Sequence, residues 1–255
     1  MTAQYSIFYT FVTSEARGTG KTGICSFLGE SASMNPSGFS RIKGKLLELE
    51  TYNYFFVKDL YAGFVSYQQP LKNSGLGISL AFEGSPEFND FSLVGSYSRQ
   101  LSQKAHLGVA VYYIHGFRTF STESNQLACS VGFLAYLGSR VLLGFVFQNP
   151  LQFDTEFQRF NKSIYKLGLC YLVNKFTEMN LECHLNNLTA TSIHIGFRYD
   201  ILARLGLLGG YQTNPSSYSF GLIVKLNNSI KITSSFEKHL LLGWSPSLGV
   251  KFYFE

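Results

Sequence analysis

The last stretch of the chain, Ser247-Leu-Gly-Val-Lys-Phe-Tyr-Phe254, alternates strictly between two kinds of side chain. Large apolar side chains occupy every second position from Leu248 to Phe254, and the positions between them hold glycine, lysine and tyrosine. Successive side chains of a β-strand point to opposite faces, so this strand presents one apolar face and one face of small or charged residues. Such a strand is typical of a barrel wall that separates lipid from a polar lumen.

The same alternation returns along the chain from Lys45 onward, in segments that match the nine to eleven residues a tilted transmembrane strand needs. The sequence therefore predicts an all-β protein, a transmembrane antiparallel barrel of about fourteen strands. The predicted strands cover 45–54, 60–67, 74–82, 90–101, 105–117, 126–137, 140–148, 163–172, 177–186, 191–199, 202–212, 218–226, 229–237 and 247–254.

Alternation alone does not separate a soluble sandwich from a barrel in lipid, because both have one apolar face. Here the other face holds mainly small residues such as Gly75, Gly77 and Ser79, rather than the Lys and Glu of a water-exposed sheet. No helical pattern follows that could cover the apolar face. Aromatic residues gather near predicted strand ends, where membrane interfaces lie. They include Tyr52, Tyr54, Tyr165, Tyr171, Tyr199, Tyr211 and Tyr218.

Composition supports the same class. The 255 residues are 45% hydrophobic and only 15% charged, below the roughly 25% of an average soluble domain. No window approaches the eighteen apolar residues of a transmembrane helix, so insertion into a membrane requires a closed barrel. A net charge of +5 without a basic run predicts no nucleic-acid partner. Cys25, Cys129, Cys170 and Cys183 are widely separated, and we expect free thiols.

The connections alternate between tight turns and longer loops, as in outer-membrane barrels with short periplasmic turns. The predicted tight turns are 102–104, 138–139, 173–175, 200–201 and 227–228, and the predicted loops include 83–89, 118–125, 149–162 and 238–246. With fourteen strands, both termini then lie on the periplasmic side of a bacterial outer membrane. Met1 to Val12 lack the basic segment of a signal peptide. We therefore expect either a mature chain with an added Met or a chain that is not secreted.

Two motifs resemble those of a known group. Ala16-Arg-Gly-Thr-Gly20 followed by Asn35-Pro-Ser-Gly38-Phe39 is similar to the start of the FadL-like superfamily, whose usual motif is a glycine-rich segment and then Asn-Pro-Ala-Gly-Leu. The spacing of Gly249, Phe252 and Phe254 resembles the C-terminal signal of bacterial outer-membrane barrels, and predicts that the last strand closes the barrel. The superfamily includes FadL-type channels for hydrophobic substrates and the PorV and PorQ barrels of the Bacteroidota type IX secretion system.

This resemblance implies a hatch, an N-terminal segment folded into the lumen. The predicted domains are the hatch, 1–44, and one transmembrane barrel, 45–255. The residues of this chain that match the family's hatch are Arg17, Gly18, Gly20, Asn35, Pro36 and Gly38.

Candidate sites follow from which side chains point into the lumen. Five cations are inward by alternation near one mouth of the barrel, where they are predicted either to line the lumen or to grip Glu15 and Glu30 of the hatch or a passing anion. They are Arg198, Arg204, Lys225, Lys231 and Lys251. His184 and His194 are predicted as cross-strand neighbours with Glu182 nearby, more simply as wet lumen histidines than as a metal site. No catalytic arrangement and no cofactor are predicted.

The function expected from this pattern and resemblance is not enzymatic. The compact loops favour a component or docking partner of a larger envelope complex, similar to type IX secretion, with outer-membrane lipid and other envelope proteins as partners. The first alternative is a FadL-type channel for hydrophobic small molecules. The second is a mitochondrial-type porin, which is expected to have nineteen strands.

Overall fold

The computed structural model describes residues 11–28, 32–119, 124–150, 163–186 and 189–254. Fourteen antiparallel strands follow one another around a closed barrel, each paired with its neighbours in sequence. The strands are β1 Lys45–Asn53, β2 Tyr61–Leu71, β3 Ser74–Ser85, β4 Phe88–Ser102, β5 Ala105–Arg118, β6 Ser124–Tyr136, β7 Val141–Gln148, β8 Ile164–Asn174, β9 Thr177–Asn186, β10 Thr189–Leu202, β11 Leu205–Gln212, β12 Ser217–Lys225, β13 Ile230–His239 and β14 Gly243–Phe254. The predicted fold class and strand count are confirmed.

The first and last strands close the barrel. β14 pairs with β1 from Lys45 opposite Phe254 to Tyr52 opposite Ser247. Gly249 faces Glu50, whose carboxylate oxygens lie where a Cβ at Gly249 would stand. Closure leaves no unpaired strand edge, which is the condition for a sheet to span a bilayer. Fourteen strands also show that the mitochondrial-type alternative, with its expected nineteen, is wrong.

The outer surface of the barrel is apolar, and the alternation seen in the sequence assigns it correctly. On β3, for example, Leu76, Ile78 and Leu80 are exposed while Gly75 and Ser79 are buried against the interior. In one place the expected position of an aromatic side chain is wrong. Tyr52, predicted for the membrane interface, points into the lumen, because its position in β1 shares the inward face with two glutamates.

The two ends of the barrel differ less in loop length than predicted. We call the end that holds the start of β1, the end of β14 and six tight turns the turn end, and the opposite one the loop end. At the loop end the strands run further than expected, so that the predicted loop 83–89 is a two-residue connection between β3 and β4. At the turn end β10 continues to Leu202, so the predicted turn 200–201 lies at 203–204 instead. Most of the predicted loop 149–162 lies outside the described residues.

Residues 11–28 and 32–44, which we call the inner segment, lie within the barrel. They form helix α1, Ser14–Gly18, and one 3₁₀-helix, Pro36–Arg41. The side chain of Thr13 caps α1 by accepting a hydrogen bond from the Ala16 amide at 3.3 Å. Helix α1 packs on β11 to β14 and β1, and the 3₁₀-helix packs on β2 to β6, so the segment touches both sides of the lumen. Of the helices in the described residues, none is both long and apolar enough to cross a bilayer.

The assignment of the outer face to lipid can be tested at Val111, which lies near the middle of β5 and is 56% exposed. Replacing it by arginine places a charge on the lipid face near mid-bilayer. We expect Val111→Arg to lower the free energy of unfolding by about 2–4 kcal/mol in urea titrations of the barrel folded into phosphatidylcholine vesicles. Val111→Leu, which stays apolar, serves as the control and should change little. Equal stability of Val111→Arg and the parent would contradict a lipid-facing Val111.

Candidate functional site

The inner segment packs directly on inward-facing glycines of the barrel wall, which we call the glycine seats. A Cβ at Gly108 would lie 2.3 Å from the carbonyl carbon of Pro36, and one at Gly132 would lie 2.0 Å from the Asn35 side-chain oxygen. Gly77 likewise lies under the ring of Phe39. Only residues without a side chain allow the backbone to approach this closely. The small residues that alternate with the apolar face are therefore the contact surface for the inner segment.

Asn35 links the two parts of the inner segment to the wall. Its side-chain oxygen accepts hydrogen bonds from the Ser37 amide at 3.1 Å and the Ser37 hydroxyl at 2.7 Å, and so caps the 3₁₀-helix. Its side-chain nitrogen donates to the carbonyls of Ile24, at 2.9 Å, and Phe133, at 3.3 Å. Asn35 is fully buried. All four hydrogen-bonding positions of this amide are used, which fixes the turn where Asn35 and Pro36 meet.

Two glutamates of β9 hold backbone amides of the inner segment. Glu182 accepts from the amides of Gly23, at 2.6 Å, and Ile24, at 2.9 Å. Glu178 accepts from the amides of Phe27, at 2.7 Å, and Leu28, at 2.8 Å. Both carboxylates are buried, and hydrogen bonds from backbone amides offset part of the cost of burying their charge.

β1 supplies a second pair of glutamates. Glu50 accepts from the amide of Ser14 at 2.9 Å and also from its hydroxyl. Glu48 accepts from the hydroxyl of Ser33 and forms an ion pair with Lys251 at 2.9 Å. Since Glu48 and Glu50 are two residues apart in a strand, both point into the lumen. They bind the inner segment at two positions far apart in sequence.

The carboxylate of Glu15 lies among the predicted basic cluster. Arg198 forms an ion pair with Glu15, and Lys231 and Lys251 follow at 3.1 and 3.8 Å. These three cations are buried, so the contacts take place largely out of water. All three side chains lie on the lumen face of the wall. Glu30, the other acid expected to contact the cluster, lies outside the described residues.

Of the remaining two predicted cations, Lys225 lies beside the cluster, opposite Lys231, and Arg204 lies apart from it. Lys225 binds Asp200 at 3.2 Å, and Asp200 also binds Arg198 at 3.0 Å. Arg204 is exposed in the turn between β10 and β11, so its predicted inward position is wrong. The reason is the three-residue displacement of that turn, since a strand starting at 202 would have pointed Arg204 inward whereas β11 starts at Leu205.

A further group of charges surrounds Arg17. Its guanidinium lies 3.4 Å from the centre of the Tyr52 ring and 3.7 Å from Glu237. Lys21 binds the same glutamate at 2.6 Å. Stacking on an aromatic face together with a buried carboxylate is a favourable site for a guanidinium. This contact explains why Tyr52 points inward.

The two predicted neighbouring histidines do lie together, with ring centres 3.9 Å apart. His194 is buried beneath the inner segment, whereas His184 keeps part of its surface exposed. His194 Nδ1 lies 2.7 Å from the carbonyl oxygen of Gly20, and His184 Nε2 lies 2.9 Å from Glu182. Within the described part of the chain, no three side chains of metal-binding type converge on one point.

Opposite the charged contacts, the lumen wall carries a small apolar cluster near the loop end. Ala110, Tyr112, Ile114 and Ala128 form this buried cluster on β5 and β6. On nearby β2, Phe64 stacks on Phe11 of the inner segment with ring centres 4.9 Å apart. The charged contacts to the inner segment lie on β9 to β14 and β1, away from this cluster. The rest of the wall from β2 to β6 is mixed, because its buried inward residues are mostly polar or small.

The lumen is wider at the turn end. A cavity of about 1010 Å³ opens there, and its lining combines the apolar Phe27, Ile42 and Tyr136 with the cations Arg41 and Lys104. Near the loop end the cavity between Phe11 and the wall measures only about 20 Å³, about the space of a single water. The inner segment thus fills the middle of the barrel and leaves a vestibule at the turn end.

The glutamates of the wall were missed by the sequence analysis. Glu48, Glu50, Glu178, Glu182 and Glu237 contact the inner segment, yet only Glu182 was named, as a neighbour of a metal candidate. Their inward position was available from the alternation, because an acid facing lipid is unfavourable. Their partners in the inner segment could not be predicted in the same way. Several of these partners are backbone amides, which are the same in nearly every residue type.

The fold is that of the FadL-type barrels. The toluene transporter TbuX of Ralstonia pickettii matches with a TM-score of 0.76 and 9% identity, over 96% of this chain and 99% of that one. A FadL homologue of Pseudomonas aeruginosa matches with a TM-score of 0.72 and 10% identity, over 99% and 100%. The toluene transporter TodX of Pseudomonas putida matches with a TM-score of 0.71 and 12% identity, over 95% and 98%.

The sequence itself has no such match. No protein-family model matches the chain, and no curated protein matches it either. At identities this low the comparison shows the shared fold of the barrel and no more. It leaves the function of this chain to be argued from its own residues.

The role of Glu15 can be tested through Cys25, which is fully buried in the inner segment. Burial also raises the pKa of the Cys25 thiol well above its usual range, so it reacts slowly while seated. Removing one partner of a buried ion pair costs about 3–5 kcal/mol. In a background with Cys129, Cys170 and Cys183 replaced by alanine, we therefore expect Glu15→Gln to speed maleimide labelling of Cys25 by about tenfold or more.

The matched control for that labelling is Glu87→Gln, because Glu87 is exposed at the loop end. It should leave the labelling rate unchanged. Equal rates in Glu15→Gln and the parent would show that Glu15 does not hold the inner segment in place.

The glycine seats provide an independent test. A side chain at Gly108 overlaps Pro36, whereas a Cβ at the outward-facing Gly95 would meet no atom within 4 Å. We expect Gly108→Val to lower the free energy of unfolding by about 1–3 kcal/mol through overpacking, as measured by urea titration in detergent micelles. Gly95→Val should be neutral or slightly stabilising, since valine favours strands. Similar results for the two variants would contradict the close contact at Gly108.

Proposed function

We propose that this protein is an outer-membrane channel for small hydrophobic molecules, without enzymatic activity. The observation that carries the proposal is the apolar cluster on the lumen face of β5 and β6, which lies away from the charged contacts of the inner segment. An apolar surface inside a membrane barrel offers hydrophobic molecules a path that a polar, water-filled pore does not. The inner segment blocks that lumen to water and ions, so the barrel combines a hydrophobic path with a plug.

The likeness to TbuX and TodX supports this proposal through the shared fold. Both are described as toluene transporters, which makes monoaromatic hydrocarbons the first substrates to try. In this proposal the turn end faces the periplasm with both chain termini, and the vestibule there is the exit. The apolar cluster around Ile114 near the loop end is the entry side.

The expectation of a component of an envelope complex receives no such support. The similar structures are channels and transporters, and nothing in them points to type IX secretion, to PorV or PorQ, or to Bacteroidota. The first alternative of the sequence analysis is therefore the better supported one.

The proposal is tested by measuring uptake of radiolabelled toluene into vesicles containing the folded barrel. Ile114 is buried in the apolar cluster, and a carboxylate there makes a hydrophobic path costly. We expect Ile114→Asp to reduce toluene uptake by about tenfold or more. Ile114→Leu is the matched control, and it should keep the parent's uptake because it preserves an apolar side chain of the same volume.

Folding of both variants is checked by circular dichroism before uptake is compared. Parent protein that takes up toluene no faster than protein-free vesicles would contradict the channel. Rapid uptake in folded Ile114→Asp would contradict the path beside β5.

A further inference from the structure

The tight turns at the turn end share a feature of charge. Five of the six each contain one lysine or arginine and no acidic residue. The cations are Lys72, Lys104, Arg140, Lys175 and Arg204. The sixth turn, 226–229, carries no charge, and Lys43 and Lys45 add exposed cations where β1 begins. The turn end is thus rimmed by positive charge around most of its circumference.

These five side chains are exposed, and among the described residues none forms an ion pair with an acid. The acids of the nearby strand ends that the structure describes are already engaged. Asp200 binds Arg198 and Lys225, and Glu178 binds amides of the inner segment. The positive charge of the rim is therefore not neutralised by the described part of the protein.

The rim also lies at a defined depth. Each cation follows closely on, or directly precedes, an exposed apolar side chain of the lipid-facing belt. These are Leu71, Leu101, Leu137, Phe176 and Leu202, which are 47%, 57%, 63%, 45% and 62% exposed. Lys175 additionally lies 4.8 Å from the centre of the Phe176 ring. A cation directly beyond the apolar belt of a membrane barrel lies at the level of the lipid headgroups.

The described residues of the loop end show no such bias. Lys58 and Asp59 are adjacent and exposed, Glu87 and Lys238 are exposed, and Arg118 is paired with Asp90 at 2.7 Å. Within the described part of the chain, the excess of cations is therefore a property of the turn end.

We propose that the ring of Lys72, Lys104, Arg140, Lys175 and Arg204 binds the phosphate headgroups of anionic glycerophospholipids in the periplasmic leaflet. A ring suits lipid better than a protein partner, because a protein would contact one sector of the rim whereas boundary lipid surrounds it. Each basic residue near an anionic membrane surface contributes about fivefold to binding. The ring thus selects the lipids that surround the barrel and fixes how deeply the turn end sits. This inference concerns the barrel exterior and does not depend on what the lumen transports.

The test uses the full chain reconstituted in phosphatidylcholine bilayers with trace spin-labelled phosphatidylglycerol or phosphatidylcholine. Electron paramagnetic resonance then measures the share of each label that is immobilised at the protein. We expect the relative association constant to favour phosphatidylglycerol by about threefold or more, below the fivefold of one cation because lipids at the loop end dilute the effect. In 1 M salt the preference should vanish, since screening then acts within about 3 Å.

Two charge-matched variants localise the effect. K104Q/R140Q removes two cations of adjacent turns and should reduce the preference, and the fivefold glutamine variant should abolish it if it folds. K58Q/K238Q removes two exposed cations of the loop end and should leave the preference unchanged. A parent without preference at low salt, a preference that persists in 1 M salt, or an equal loss in the two double variants would overturn the proposal.

Discussion

Buried carboxylates of the barrel wall determine where the inner segment lies. Glu48, Glu50, Glu178, Glu182 and Glu237 point into the lumen, and each binds an amide, a hydroxyl or a cation of the inner segment. A carboxylate moved out of water is costly unless it gains hydrogen bonds of comparable quality. The inner segment supplies a hydrogen bond or an ion pair to each of these five carboxylates, so it replaces water as their partner in the lumen. The position of the inner segment is specific, because each wall carboxylate requires a hydrogen-bond donor or a cation at one defined place.

The charged side chains of the inner segment also form ion pairs with charged side chains of the wall. Glu15 brings one negative charge into a group of wall cations, while Arg17 and Lys21 bring positive charge to Glu237. Since both partners of each contact are buried or partly buried, these pairs are less screened by salt than surface pairs. The charged contacts lie on β9 to β14 and β1, away from the apolar cluster on β5 and β6. A path for hydrophobic molecules beside the cluster would therefore avoid these charged contacts, although Asn35 and Pro36 of the inner segment pack on Gly132 and Gly108 of the same two strands.

Most of the wall could be predicted from the sequence because alternation with period two is a local property. It predicted the strands, their number and the inward face of small residues such as Gly75 and Ser79. Arg204 shows the limit, because a turn displaced by three residues moves a side chain from the lumen to the surface without breaking the apolar pattern. Tyr52 shows a second limit of the prediction, since a tyrosine near a strand end suits a membrane interface and a lumen equally well. Its inward position follows from Arg17, which lies 35 residues earlier in the chain.

The contacts of the inner segment could be predicted from the sequence only in small part. The motif around Asn35 and Pro36 marked a hatch by resemblance, but the seats depend on glycines of strands far away in sequence, such as Gly108 and Gly132. Glu50, Glu178 and Glu182 bind backbone amides, and every residue except proline has one. Contacts of this kind arise only once the barrel has closed. Tertiary structure, and not local pattern, therefore decides this part of the fold.

The most direct test of this account is amide hydrogen exchange of the folded barrel in detergent micelles, followed by mass spectrometry of the peptide covering residues 20–28. This stretch contains the amides of Gly23, Ile24, Phe27 and Leu28 that bind Glu182 and Glu178. If the wall carboxylates hold the inner segment, these amides exchange as slowly as those of the strands, over hours or longer. Exchange of all four within seconds, while the strands stay protected, would contradict it.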